Sequence, residues 1–182
     1  MARLVALLRG INVGGHKKVP MAQLRQVLEG AGFEGVRTYV QSGNVVLDAP
    51  SRRSPDRVGR DIEKAIEEAF GFNVAVVVRT RDEFAALVEE DPLGDVADNA
   101  AYRIVVFLAG ELDRERLADI DPAEFAPEAF TLRDREIVMW APRGQAESRL
   151  VKTLTEKRTG VVGTARNWRT VQKLLTMADA DG

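Results

Sequence analysis

The strongest constraint on this chain is an order of segments that occurs twice. Leu4 to Leu8 is a continuous apolar run held between Arg3 and Arg9. It is too short for a signal-peptide core or a membrane span, so it reads as a buried strand. After Pro20, the residues Met21, Leu24, Val27, Leu28 and Ala31 recur at helical spacing, and Gly32 closes that helix. Val36 to Gln41 and Val45 to Leu47 then flank Ser42-Gly43-Asn44, a turn-forming trio that predicts a hairpin. Ser54-Pro55 opens a second helix, with Val58, Ile62, Ala65, Ile66, Ala69 and Phe70 on one face, and the β-branched run Val74 to Val78 follows Gly71. Thr80 and Glu83 have capping-box spacing, which predicts a further helix bearing Phe84, Leu87 and Val88 inward.

The order β-α-β-β-α-β then restarts. Arg103 to Ala109 reads as a strand, Leu112 to Ile120 as a short helix, and Ala129 to Arg133 with Glu136 to Ala141 as two strands turning at Asp134-Arg135. A helix near 147–158, a brief Val161-Val162 element and a last helix with Trp168, Val171, Leu174 and Leu175 inward complete it. The echo is one of pattern, since the residues themselves differ, and it suggests duplication of one supersecondary unit. The expected class is therefore α+β, with two ferredoxin-like subdomains each followed by an extra helix. The expected division is 1–90, an acidic linker over 91–101, and 102–182. A single mixed sheet with decorations is the competing architecture.

Composition narrows the chemistry. The 182 residues include no cysteine and one histidine, which removes disulfides and thiolate nucleophiles and argues against zinc, so no cofactor or metal is expected. The same lack of cysteine fits a reducing compartment, and a cytoplasmic location without membrane association is expected. No G-x-S-x-G elbow is present and nothing local supports a Ser42–His16 pair, which leaves enzyme activity undecided. Charge is unevenly spread. Residues 1–25 carry Arg3, Arg9, Lys17, Lys18 and Arg25 with no acidic group, and 143–173 carry eight basic groups against Glu147 and Glu156, around an acidic middle. Basic ends brought together would make a patch for an anion; solvated charge on separate faces is the alternative.

Three polar segments could use that charge. Arg9-Gly10-Ile11-Asn12-Val13-Gly14-Gly15-His16-Lys17-Lys18 lies between the first strand and the first helix. Glycines there let backbone amides approach a ligand, and a helix N-terminus favours negative charge. It is no P-loop, because His16 stands where lysine is needed and Lys18 where Ser or Thr is. The plain alternative is a long glycine-containing loop with solvated lysines. Gln41-Ser42-Gly43-Asn44 offers amides and a hydroxyl, although a turn needs the same residues. Thr164-Ala165-Arg166-Asn167-Trp168 precedes the last helix, where Thr164 or Asn167 could cap and Arg166 could meet an anion.

Leu7-Leu8-Arg9-Gly10-Ile11-Asn12-Val13-Gly14-Gly15, Lys18-Val19-Pro20-Met21, Tyr39-Val40-Gln41-Ser42-Gly43-Asn44-Val45-Val46, and Thr164-Ala165-Arg166-Asn167-Trp168 with Lys173-Leu174 together resemble the bacterial family catalogued as domain of unknown function 1697. The resemblance spans nearly the whole chain. It implies a two-part α+β fold with ferredoxin-like subdomains, and no assigned catalytic residues come with it.

The leading expectation is a basic pocket for a phosphate-bearing ligand, either a small molecule such as a nucleotide or a nucleic-acid end. Arg9, Lys17, Lys18 and Arg166 would supply charge; Asn12, Gly14, Gly15, Gln41, Ser42, Asn44 and Asn167 would supply hydrogen bonds and backbone approach. The alternative is a non-catalytic interaction module, either a monomer or a homodimer, whose polar phrases only set turns and caps.

Overall fold

The computed structural model describes residues 1–180. It is α+β, with two four-stranded antiparallel sheets. The chain divides into two compact units, Met1–Ala85 with Lys173–Gly182, and Ala86–Gln172. The acidic stretch 91–101 falls inside the second unit, so the division lies earlier than the expected linker and the first unit is discontinuous.

In the first unit, β1 (Ala2–Leu8), α1 (Met21–Gly30), β2 (Glu34–Tyr39), β3 (Asn44–Ala49), α2 (Pro55–Phe70) and β4 (Val76–Thr80) follow in order, and α3 (Arg81–Glu90) begins in this unit and from Ala86 belongs to the second. The sheet order is β2-β3-β1-β4, the arrangement of a split β-α-β unit. Local chemistry sets the boundaries. Ser54 Oγ accepts the Arg57 amide, Pro55 fills the first turn of α2, and Gly71 ends it at φ +78°. Thr80 and Glu83 form the reciprocal capping pair that starts α3, at 2.7 and 3.1 Å.

One face of this sheet, Leu4, Ala6, Leu8, Val45, Leu47, Val76 and Val78, packs with Leu24 and Leu28 of α1 and Val58, Ile62 and Ile66 of α2. Each of the Leu, Ile and Val side chains contributes roughly 1.5–3 kcal/mol by leaving water. On the other face Val5, Leu7, Val46, Val77 and Arg79 are buried too. No open sheet face remains there for base stacking.

The second unit repeats the sheet with β5 (Arg103–Leu108), β6 (Ala129–Leu132), β7 (Glu136–Trp140) and β8 (Gly163–Asn167), in the order β6-β7-β5-β8. Register repeats closely. Val5 stands opposite Arg79, and Val105 opposite Arg166. The Leu8 amide bonds Gly43 O and the Leu108 amide Arg135 O; Arg9 bonds Ala75 O and Ala109 bonds Val162 O.

The connections do not repeat. Where one short helix is expected over 112–120, two 3₁₀ turns form, Arg114–Leu117 and Pro122–Phe125, capped by Asp113 and Asp121. The helix expected over 147–158 breaks into α4 (Arg149–Thr153) and α5 (Glu156–Thr159). In place of the expected brief Val161-Val162 element, β8 spans Gly163–Asn167 and takes in the polar segment ahead of the last helix. The last helix, α6 (Trp168–Asp179), begins in the second unit, and from Lys173 belongs to the first.

Two arginines at matching positions anchor helix ends. In the first unit Arg3 pairs with Asp48 at 2.6 Å and donates to the carbonyls of Ala178 and Ala180, while Arg37 donates to Met177 O at 2.6 Å. Cations at a helix C-terminus meet both the orphan carbonyls and the dipole. In the second unit Arg103, 5% exposed, bonds Asp91 and Pro92 O and lies 3.9 Å over the ring of the buried Trp168.

Candidate functional site

The glycine-rich segment after β1 is a miniature hairpin. The Asn12 amide bonds Lys17 O, the His16 amide bonds Val13 O, and Gly14 and Gly15 form the two-residue turn at φ +59° and +76°. Positive φ at both central positions is the primed turn that suits a hairpin's twist, so these glycines serve the turn. Residues 13–18 are all exposed, and the segment projects cations instead of wrapping a cavity.

Asn12 holds the hairpin to its base. It sits at φ +54°; its Oδ1 accepts the Val19 amide at 2.8 Å, and Nδ2 donates to Val19 O and, at 2.7 Å, to Gln41 O. All its hydrogen-bonding atoms are therefore engaged internally. Lys17 Nζ donates to Asn73 O at 2.7 Å, which bends its ammonium onto the chain leaving α2. Arg9 is exposed beside them. Among the described residues no hydrogen bond or ion pair engages the side chain of Lys18, which is fully available to a ligand.

The 41–44 turn lies directly against this hairpin. Gly43 is at φ +86°, and a Cβ there would come within 2.7 Å of Leu8 Cβ and 2.8 Å of Ile11 Cδ1. Only glycine fits. Asn44 is buried and donates to Tyr39 O and Ser42 Oγ, so it shapes the turn from beneath, while Gln41 and Ser42 face solvent. Val40, also exposed, is held at φ +51°, a costly conformation for a β-branched residue.

The 9–18 hairpin leads into α1, and the 41–44 turn, between β2 and β3, lies alongside it. Pro20 provides no side-chain cap, and the first turn contains no acidic residue, so the leading amides of α1 have no side-chain acceptor. Arg9, Asn12, Gly14, Gly15, Lys17, Lys18, Gln41, Ser42 and Asn44 thus belong to one end of the first unit.

Arg166 and Asn167 belong to the second unit. Arg166 is buried on β8 and donates to Thr164 Oγ1 and Ala165 O, both at 2.8 Å; burial pushes its pKa down to about 10. Asn167 caps α6 through its Oδ1 and the Thr170 amide. Both already have structural work inside that unit.

The sequence gives no sign of a cavity of about 270 Å³ in the second unit, between residues 125–128 and 141–149. Its lining is scattered over two connections without a motif. Among the described residues, no group of three or more His, Asp or Glu side chains is placed to hold a metal ion, and no helix is long and apolar enough to cross a membrane.

No curated protein matches this sequence. Among solved structures, the fold is similar to that of "conserved bacterial protein SP0830 from Streptococcus pneumoniae", at TM-score 0.76 and 24% identity over 98% of this chain and 99% of that one. Residues 1–138 match the family described as "Protein of unknown function (DUF1697)", and the chain belongs to that family.

Proposed function

We propose that the protein binds a phosphate-bearing ligand, a nucleotide or a nucleic-acid end, at the surface formed by the 9–18 hairpin, the 41–44 turn and the start of α1. The observation that carries this reading is the uncapped α1 N-terminus beside a hairpin that presents Arg9, Lys17 and Lys18. Amides without acceptors and a positive dipole end attract an anion, and neighbouring cations reinforce that attraction. Gln41 and Ser42, held alongside by Asn12, supply neutral hydrogen bonds. Arg166 and Asn167, engaged within the second unit by Thr164, Ala165 and Thr170, are left out of this surface.

Thermal-shift measurements against nucleotides and a 5′-phosphorylated oligonucleotide test it. A ligand at 100 times its dissociation constant adds about 2.7 kcal/mol. Stabilisation that disappears in Lys17→Gln/Lys18→Gln supports the reading, and no shift with any phosphate compound sinks it.

One observation favours a second reading. Val13 and Val40 are 65% and 50% exposed in these same two loops. Apolar side chains at a hairpin tip suit protein contact, including self-association. Sedimentation of wild type against Val13→Ser/Val40→Ser checks this: a dimer lost in the variant would favour it.

A further inference from the structure

The cavity in the second unit is independent of the surface above. Its walls are Phe125, Ala126, Pro127 and Glu128 on one side and residues from Ala141 to Arg149 on the other. At about 270 Å³ it falls just under the ~300 Å³ lower end for ligand pockets, which suits a small metabolite better than a nucleotide.

Glu128 fixes the shape. Its carboxylate accepts the Ser148 hydroxyl at 2.6 Å and the amides of Arg149 and Leu150 at 3.0 and 3.1 Å, tying one wall to the other. Arg149 is fixed too: it donates to Glu124 O at 3.0 Å and lies 5.2 Å over the Phe125 ring. That single bond leaves most of its five N–H donors unspent. Arg143 and Glu147 also line the cavity, and among the described residues no hydrogen bond or ion pair engages either side chain.

The lining therefore holds two cations and two carboxylates around apolar carbon from Phe125, Ala126, Pro127, Ala141 and Pro142. A ligand with one sign of charge would meet a like charge as well as a partner. With Glu128 spent on the walls, a ligand with both signs and an apolar body would match what remains: the two guanidinium groups, the Glu147 carboxylate and the apolar carbon. We propose that this cavity binds a zwitterionic α-amino acid with an apolar side chain, its carboxylate toward Arg143 and Arg149, its ammonium toward Glu147, and its side chain against Phe125, Pro127 and Pro142.

Amide chemical shifts of the full chain, titrated with L-phenylalanine, 3-phenylpropionate and phenethylamine, test the assignment. The expected result is saturable shifts confined to 125–128 and 141–149 with phenylalanine, and about tenfold or weaker binding of each single-charge analogue. Ala126→Trp, which fills the cavity with indole, should abolish the shifts. Arg143→Gln and Glu147→Gln, both at exposed positions without a side-chain partner among the described residues, should each weaken binding about tenfold. No saturation with phenylalanine overturns the proposal. So does equal binding of either analogue, or binding unchanged in all three variants.

Discussion

Asn12 and Gln41 are joined by a 2.7 Å hydrogen bond from the side-chain amide of the first to the backbone carbonyl of the second. This bond, with the two to Val19, makes one asparagine the fastening between hairpin, turn and helix start. Asn12→Ala should cost about 1–3 kcal/mol, since it leaves backbone groups unpaired and puts alanine in a left-handed conformation. A urea midpoint unchanged from wild type would show that the fastening is idle. Ligand binding at the hairpin should weaken in the same variant.

Gly43→Ala should be harsher than an ordinary turn substitution. The added methyl meets Leu8 Cβ and Ile11 Cδ1 inside 3 Å, at a φ that alanine resists. A loss of about 2 kcal/mol or more is expected in urea denaturation. Gly15→Ala makes the control, with a similar φ but nothing within 4 Å of the new methyl; it should lose only about 1 kcal/mol.

Glu128 gives the second unit an acid-sensitive point. Burial works against its charge, but the Ser148 hydroxyl and the Leu150 and Arg149 amides outweigh it, so the carboxyl stays below its ordinary 4.5. The folded state thus prefers the carboxylate. Its contribution is complete above pH 4.5 and lost as pH falls through the lower folded-state value. Glu128→Gln should cost about 1 kcal/mol at neutral pH and flatten stability against pH below that point. Urea midpoints measured across the acid range read both effects.

Lys17 and Lys18 should contribute to the salt dependence of any nucleic-acid end bound at the hairpin. Each phosphate contact removed lowers the slope of log affinity against log salt by about 0.7 for a single strand. Lys17→Gln/Lys18→Gln should therefore bind a phosphorylated oligonucleotide more weakly at low salt and with a flatter slope in fluorescence anisotropy. A parallel curve would place the phosphates elsewhere.

The sequence made the first unit far more legible than the second. Leu4 to Leu8, the α2 face with its Ser54 and Gly71 ends, and the Thr80–Glu83 capping pair all read correctly because period and punctuation agree there. Gly163-Thr164-Ala165-Arg166-Asn167 misled, because a five-residue strand paired through its backbone needs no apolar alternation to announce it. The stretch 112–125 misled because Asp113 and Asp121 cap their own short turns, and local side-chain bonds there displaced a helix. In the 9–18 and 41–44 loops the sequence could not separate residues that face solvent from those that build the loop. Asn12 and Asn44 look like ligand groups in one dimension and are internal braces in three. Arg3 and Arg103 carried no signal, since only register reveals that both grip a helix end.

The discontinuity of the first unit is a matter of sequence distance. The segment that Arg3 and Arg37 hold, Met177 to Ala180, lies 140 to 177 residues along the chain from them. Those bonds carry the loop-closure cost of all the intervening chain, whereas the second unit is one uninterrupted stretch. Contacts of such separation are slow to form, so the arginine grip on the end of α6 closes after the local pairings within each sheet.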